Sequence, residues 1–531
     1  MKLKKFSSVL LAFGIMIGTL SGCSNKKELT ENNINSKQEE VVFVNFRDIR
    51  DLNPHLYAGE MYAQEMLYES LVNVTEDGYE PCLAENWDIS EDGKVYTFKI
   101  RQGVKFSDGN VCDANAIKAN FDAIAENKSR HTWLEMMELL ESVTVKDDYT
   151  LEIKMSKPYY PMLTELGVTR PFAMISPAAM KNGSTKDGVK EYIGTGPYVL
   201  KEFVTDQYAI FEVNENYWGE KPKIKKITVK VIPDNQTRIL ALEKGEIDLI
   251  YGKNMIDADA VNKYKDNDAF EVELSEATST RQIVLNTTDE ILKDTNVRKA
   301  LQHATDKKSI SDGVFYGIEK PADTLFSETT RYCDINLIPY EYDKDKANSM
   351  LEKSGWKLGS DGIREKDGRK LELSLLYNSD SVTEKSIAEY IQGEYKKVGV
   401  NLTIKGEEEQ SYRDNMKSGN FDMVFNICWG TPYDPQSSLA AMRKPVYGDY
   451  AAQQGLADKK EIDDAITNIL TSTNEDERQE LYKFVLTRLH EDAVYIPLTY
   501  ECNKAIFRKG LKDVKFTQTQ YEVPFSKMYL E

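Results

Sequence analysis

The chain has 531 residues, with 68 Lys and Arg against 87 Asp and Glu, and a formal charge of −19. That acidity argues against a nucleic-acid partner and against direct electrostatic docking on anionic lipid, since both need a basic face. Only four His are present, and no HExxH, Gly-x-Ser-x-Gly, Walker or GxGxxG spacing appears, so no nucleophile or metal cluster can be named and a binding protein is favoured over an enzyme.

The N-terminus reads MKLKK, then FSSVLLAFGIMIGTL, then SGCSNKK. A basic stretch, an apolar stretch and a short polar segment make a signal peptide over 1–22. Leu20, Ser21, Gly22 and Cys23 resemble the lipobox of bacterial lipoproteins, which implies cleavage before Cys23, a lipid on that Cys, and a place on the outer face of the cell membrane. Losing Lys2, Lys4 and Lys5 with the signal lowers the charge to about −22. The stretch after Cys23, SNKKELTENNINSKQEE, has no aromatic residue, and is expected to be a flexible tether of about 20 Å reach. No other run approaches the roughly 18 apolar residues of a membrane span.

Beyond the tether, strands and helices alternate without internal repeats. KVYTFKI (94–100) alternates as a strand, DGNVCDANAIKANFDAIAEN is helical in period, and KDDYTLEIKM (146–155) is a turn into a strand. KKITVKVIP (225–233) is a β-branched strand, and QTRILALEKGEIDLIYG predicts a helix ending near Gly245 and a short buried strand. NVRKALQHATDKKSI predicts one amphipathic helix; so does NEDERQELYKFVLTRLHEDAVY, capped by Thr473. Between these two, KLELSLLY (370–377), a helix closed by Gly399, and VNLTIKG (400–406) form a β-α-β unit, hence a parallel pair in an α/β sheet. GNFDMVFNICWG reads as a buried strand, followed by a loop stiffened by Pro432 and Pro435 that carries Trp429 and Tyr433. Lobes crossed more than once by the chain, with a cleft between them, are the expected form.

Besides Cys23, five cysteines remain: 82, 112, 333, 428 and 502. Their number and wide spacing point to buried thiols, with one bridge such as Cys82–Cys112 left open. Taken singly, Trp133 and Trp429 are residues of a core, Met61 of packing, and Arg170 of an ion pair.

Several segments together resemble the family 5 solute-binding proteins of bacterial ABC importers. They are LNPHLYAGEMYAQEMLYESLV (52–72), YIGTGPYVL (192–200), NENYWGEKPKIKKITVKVIPD (214–234), RKALQHATDK (298–307) and WGTPYDP (429–435). RHTW, TRPF and WGTPYDP resemble the nickel and metallophore branch in particular, and the likeness runs from Val41 to about Phe525. It implies an α/β periplasmic-binding-protein-like type II fold, two lobes with a cleft plus an extra domain. Lobe I is expected over about 41–70, 200–285 and 505–531, the extra domain over about 71–199, and lobe II over about 286–504. It also implies a monomer without cofactor or catalysis, which captures a small ligand and delivers it to ABC permease subunits. Residue by residue, it implies pocket roles for Met61, Tyr62, Arg130, Trp133, Arg170, Trp429 and Tyr433. A guanidinium fork and aromatic faces suit a flat, carboxylate-bearing chelate.

The chain also departs from that branch. A metal-ligating His of the loop after M-R-x-P is replaced by Tyr447, a pocket Tyr by Arg413, a pocket Arg by Lys417, and a C-terminal pocket Thr by Tyr521. Nickel prefers imidazole, and a phenol with a pKa near 10 is a poor ligand at neutral pH. The protein's own metal ligands are therefore left unassigned, and a metal already wrapped by its chelator is the expected ligand. The competing readings are a short-peptide receptor, with Asp434 or Asp449 taking the ligand amine, a hydrolase on the same scaffold, and a surface interaction protein.

Overall fold

The computed structural model describes residues 39–75, 78–519 and 521–531. The signal segment, Cys23 and nearly all of the tether lie outside them. One eleven-stranded sheet runs through both lobes. Ten of its strands are β1 (Glu40–Asn45), β2 (Tyr198–Val204), β3 (Tyr208–Val213), β4 (Lys226–Val231), β5 (Leu249–Tyr251), β6 (Phe270–Leu285), β7 (Glu372–Asn378), β8 (Asn401–Glu407), β9 (Met423–Ile427) and β10 (Tyr495–Arg508). Their order across the sheet is β2-β3-β4-β1-β5-β10-β6-β9-β7-β8.

The β-α-β unit is present. β7 and β8 pair in parallel, joined by the helix Val382–Lys397, and Gly399 at φ 80° ends that connection. Only a residue tolerant of the left-handed region fits there. The helix Asn235–Lys244 likewise stops at Gly245, with φ 73°.

Two helical predictions change. The 296–310 stretch forms two helices, Thr295–His303 and Lys307–Phe315, because the Asp306 carboxylate accepts the Ser309 amide and starts a second helix. The cap of Glu475–Glu491 is Asn474, whose side chain accepts the Glu477 amide, and not Thr473. That helix also ends before Ala493–Tyr495.

The residues between β1 and β2 build a separate layer. Strands Ala84–Ile89, Val95–Ile100, Thr150–Met155 and Leu140–Asp147 form an antiparallel sheet in that order. The helix Ala114–Glu126 packs against it, capped by Asp113. Cys82, Cys112, Cys333, Cys428 and Cys502 are buried free thiols. Among the described residues no helix is long and apolar enough to cross a membrane.

β6 and β10 are the two strands that reach from one half of the sheet to the other. Their antiparallel ladder pairs Phe270 with Arg508 at one end and Val284 with Tyr495 at the other, with three register shifts between. Buried charges sit on this pair. Glu501 takes Arg281, Lys253 and the Ser279 hydroxyl, while Glu319 lies 3.7 Å from Arg281 and 3.8 Å from Lys504. Burial alone would raise the Glu501 pKa, but Arg281 and Lys253 bring it down to about 2. Such a network fixes geometry more than it adds stability, and losing one partner leaves an uncompensated buried charge.

The extra layer also reaches across to the second half of the chain. The Tyr160 amide donates to the Leu470 carbonyl at 2.9 Å, its hydroxyl to Glu475 at 2.7 Å, and the buried Arg478 guanidinium lies 3.3 Å over its ring. Arg443 pairs with Glu135, and Lys444 with Glu138 at 3.1 Å.

Candidate functional site

The site starts where β9 ends. Gly430, at φ 80°, turns the chain. The Asp434 carboxylate closes that turn, accepting the Gly430 amide at 2.6 Å and the Ser438 hydroxyl. Burial raises the Asp434 pKa to about 6, against the hydrogen bonds from Cys428, Ser438 and Gly430. The Trp429 amide donates to the same Ser438 hydroxyl at 3.2 Å. The peptide bonds before Pro432 and Pro435 are both cis. Trp429 and Tyr433 emerge from this framework with ring centres 6.4 Å apart.

Three other segments bring partners to them. The 3-10 turn Lys128–Arg130 delivers Trp133, edge-on to Trp429 at 5.4 Å and to Tyr433 at 6.0 Å. The loop before the helix Met61–Leu67 delivers Tyr57. Trp133 Nε1 donates to the Tyr57 hydroxyl at 2.8 Å, and that hydroxyl lies 2.7 Å from His131 Nδ1. Tyr447, at the N-terminal boundary of the short helix Gly448–Ala452, sets its ring 5.7 Å from Trp429.

Arg170 is the cation of this group. Its backbone is extended (φ −115°, ψ 126°) inside TRPF, which turns the side chain away from the neighbouring buried Thr169, Pro171 and Phe172. Nη1 donates to the Gly59 carbonyl at 3.1 Å, and the guanidinium lies 5.6 Å from the Tyr57 ring centre. Burial pulls its pKa down, while Tyr433, Tyr57, Tyr521 and Glu65 hold it up. Its other N–H groups have no acceptor among the described residues, so a fork is left for a carboxylate. The hydroxyls of Tyr433, Tyr447 and Tyr521 also have no hydrogen-bond partner among the described residues.

Trp133, Arg170, Trp429, Tyr433 and Tyr447 are thus brought together. Tyr521 is 47% exposed. Its phenol pKa is raised by burial of the hydroxyl, against the charges of Lys253 and Arg170. Arg413 acts on the Tyr447 phenol from an exposed helix surface, where it pairs with Glu409. Lys417 is exposed one turn further along that helix, and Arg130 is exposed on its turn. Met61 is buried at the start of its helix. Tyr62 points elsewhere: its ring enters the core of the β1 half, edge-on to Phe43 at 5.2 Å, with its hydroxyl buried and unpartnered. The helix Met61–Leu67 is buried on almost every side, so spacing alone does not say which residue faces the cleft.

Sequence reasoning missed Tyr57, although it stands in the quoted LNPHLY. It also missed Glu65, whose carboxylate accepts the Thr169 hydroxyl at 2.9 Å and whose pKa is raised by burial and by Glu522. His55 is buried beside Thr185, 2.9 Å from its hydroxyl, with its pKa lowered to about 3 by burial and by His131. Among the described residues no three His, Cys, Asp or Glu side chains gather as a metal-binding group. On the other side of the 431–436 turn a cavity of about 1080 Å³ opens against β6, Thr329–Arg331 and Lys512–Gln518. None of the aromatic faces around Arg170 lines it.

The description "Bacterial extracellular solute-binding proteins, family 5 Middle" matches residues 78–450. The chain is 43% identical over 486 residues to the nickel-binding periplasmic protein of Escherichia coli (strain K12), covering 91% of this chain and 93% of that one. Its fold superposes on NikA from Brucella suis in complex with Fe(III)-EDTA with a TM-score of 0.91 and 44% identity, over 93% of this chain and 100% of the other. NikZ from Campylobacter jejuni in complex with Ni(L-His) gives a TM-score of 0.77 and 25% identity, over 93% and 99%.

Proposed function

The chain belongs to the bacterial extracellular solute-binding proteins of family 5 and has their type II fold, and from that premise we propose that it captures a preformed, carboxylate-bearing transition-metal chelate for an ABC importer. One observation carries the reading. An Arg170 fork with a single protein partner lies over the Tyr57 ring, and that ring continues into an aromatic cluster of Trp133, Trp429, Tyr433 and Tyr447. The cage offers hydrogen-bond donors and flat apolar faces, and the described residues offer no cluster of metal donors. A chelate that brings its own donor atoms needs what this cage has: a cation for its carboxylates, hydroxyls for its oxygens, and rings to cover it.

Nickel or another transition metal is then cargo, held by its chelator, with no cofactor and no catalytic step. The relatives that bind Fe(III)-EDTA and Ni(L-His) support this class. The lipid on Cys23, a monomeric state and docking on permease subunits complete the reading, with residues 71–199 as the extra domain that supplies Trp133 and Arg170.

The alternative is a short peptide. The cavity of about 1080 Å³ beside the cage favours it, being larger than a small chelate needs. Against it, Asp434 is committed to its own turn and Asp449 accepts from Asn426 at 2.9 Å. Both carboxylates thus already hold protein donors, although Asp434 also lines that cavity. Calorimetry with Ni²⁺ alone, Ni²⁺ plus excess histidine, ferric EDTA and di- to pentapeptides decides between them. Tight binding of a preformed chelate and weak binding of bare Ni²⁺ are expected. Tight binding of bare Ni²⁺ overturns the preformed-chelate reading, and tight binding of metal-free peptides moves the protein to the alternative.

A further inference from the structure

Two neighbours hold the Tyr57 hydroxyl. Trp133 Nε1–H can only donate, and it lies 2.8 Å from the Tyr57 hydroxyl oxygen. His131 Nδ1 stands 2.7 Å from the same oxygen; it accepts the Tyr57 proton in one tautomer and donates to the oxygen in the other. His131 Nε2 is buried with no partner, so the Tyr57 hydroxyl is the polar contact of this ring among the described residues. The imidazole is fully buried. Burial and the neighbouring Arg130 charge keep it neutral, with a pKa near 4, so it meets the hydroxyl as an uncharged ring.

Tyr57 is thus pinned at its hydroxyl from two sides. Its ring faces Arg170 at 5.6 Å and Trp133 at 6.2 Å. The indole of Trp133 in turn meets Trp429 and Tyr433 across the cleft. We infer that His131 is a positioning residue of the ligand cleft: it touches no ligand and acts through the Tyr57 hydroxyl to fix the surface on which Arg170 and Trp133 are presented. This rests on the reading of that cleft as the chelate site.

The test is a double-mutant cycle. Binding of Ni²⁺ with excess histidine and of ferric EDTA is measured for the wild type, His131→Leu, His131→Asn, Tyr57→Phe and the His131→Leu/Tyr57→Phe double variant. His131→Leu is expected to weaken the tighter probe about tenfold, Tyr57→Phe by a similar factor, and the double variant by no more than either, because both remove the same link. His131→Asn, which can offer an amide oxygen near the Nδ1 position, is expected to recover most of the loss. Factors that multiply in the double variant overturn the proposal, since a purely structural role costs the same in both backgrounds. A second readout needs no ligand. In ¹⁵N-labelled protein the Trp133 indole signal, assigned with Trp133→Phe, is expected to move in His131→Leu and to the same place in Tyr57→Phe. An unmoved signal in folded His131→Leu or His131→Asn also overturns it. Should the wild type bind neither probe, the chelate reading fails while this signal still decides the role of His131.

Discussion

Arg170→Ala is the sharpest test of the cleft. The guanidinium is held in place by one bond to the Gly59 carbonyl at 3.1 Å and by the Tyr57 ring face. Its remaining donors are open to the ligand. Removing the cationic partner of a desolvated carboxylate costs about 2–5 kcal/mol of binding. At about 1.4 kcal/mol per decade this is a loss of roughly 30-fold to a few thousand-fold in affinity. Folding is touched only lightly, because Arg170 makes no ion pair among the described residues and its neighbours Thr169, Pro171 and Phe172 keep their packing. Arg170→Lys recovers part of the charge and not the fork, so it falls between the two. Calorimetry with the best-binding chelate, beside thermal melting of each variant, reads both effects. Wild-type affinity in folded Arg170→Ala removes this residue from the site and with it the carboxylate argument.

Tyr447→Phe is expected to cost at most one hydrogen bond, about 0.5–1.5 kcal/mol, whereas Tyr447→His gains affinity for nickel with an open coordination position; titration of both variants with bare Ni²⁺ and with the chelate checks the pair. Glu501→Leu, which strands Arg281 and Lys253 in the interior, is expected to destabilise the fold by about 3–5 kcal/mol, read by chemical denaturation. Stability is expected to peak near about pH 5. Glu501, held down to about 2, gives stability that is lost as pH falls below 4.5. Glu165 and Glu69, raised by burial to about 8 and about 7, give stability that is lost as pH rises from 4.5 through those values. Melting temperatures that climb from pH 5 to 8.5 contradict this balance. Cys23→Ala is expected to move the protein out of the detergent phase in phase separation, and unchanged partition refutes the lipid anchor.

The parts of the fold that show in the sequence are those where one period governs a whole element. β7, its helix and β8 carry a strand period, a helix period and a terminal Gly in order. The break at Asp306 does not show in the same way, because a single capping carboxylate interrupts an apolar period that continues on both sides. Site residues follow the same logic. Trp133, Arg170, Trp429 and Tyr433 sit in segments whose types are distinctive. Arg413 and Lys417 lie four apart on the helix Glu409–Ser418, on one exposed face, and Glu409 pairs with Arg413. The resemblance implies pocket roles for both; the helix sets them on an exposed face, from which the Arg413 charge reaches the Tyr447 phenol. The charges on β6 and β10 were hidden for another reason. Arg281 and Glu501 are 220 residues apart, and nothing local to either announces a partner.

Net acidity and the proposed capture of a carboxylate-bearing ligand are compatible once distances enter. At about 0.1 M salt, charges more than roughly 10 Å away through solvent are largely screened. The surplus of Asp and Glu lies mostly on such exposed surface, while Arg170 and Lys253 stand in the low-dielectric cleft and act on Tyr521 within it. The same reasoning bears on Tyr447. Burial raises its phenol pKa, and the charge of Arg413 opposes only part of that rise. A phenol in that setting keeps its proton and donates it. Imidazole at the same place would offer a lone pair to a metal. Under the proposed function, Tyr447 therefore asks of the ligand an oxygen to spare and not a metal with a vacancy. The charge of Arg170 and the phenols of Tyr433 and Tyr521 act on one another, so under the proposed function the same demand extends beyond Tyr447 to other hydroxyls of the wall.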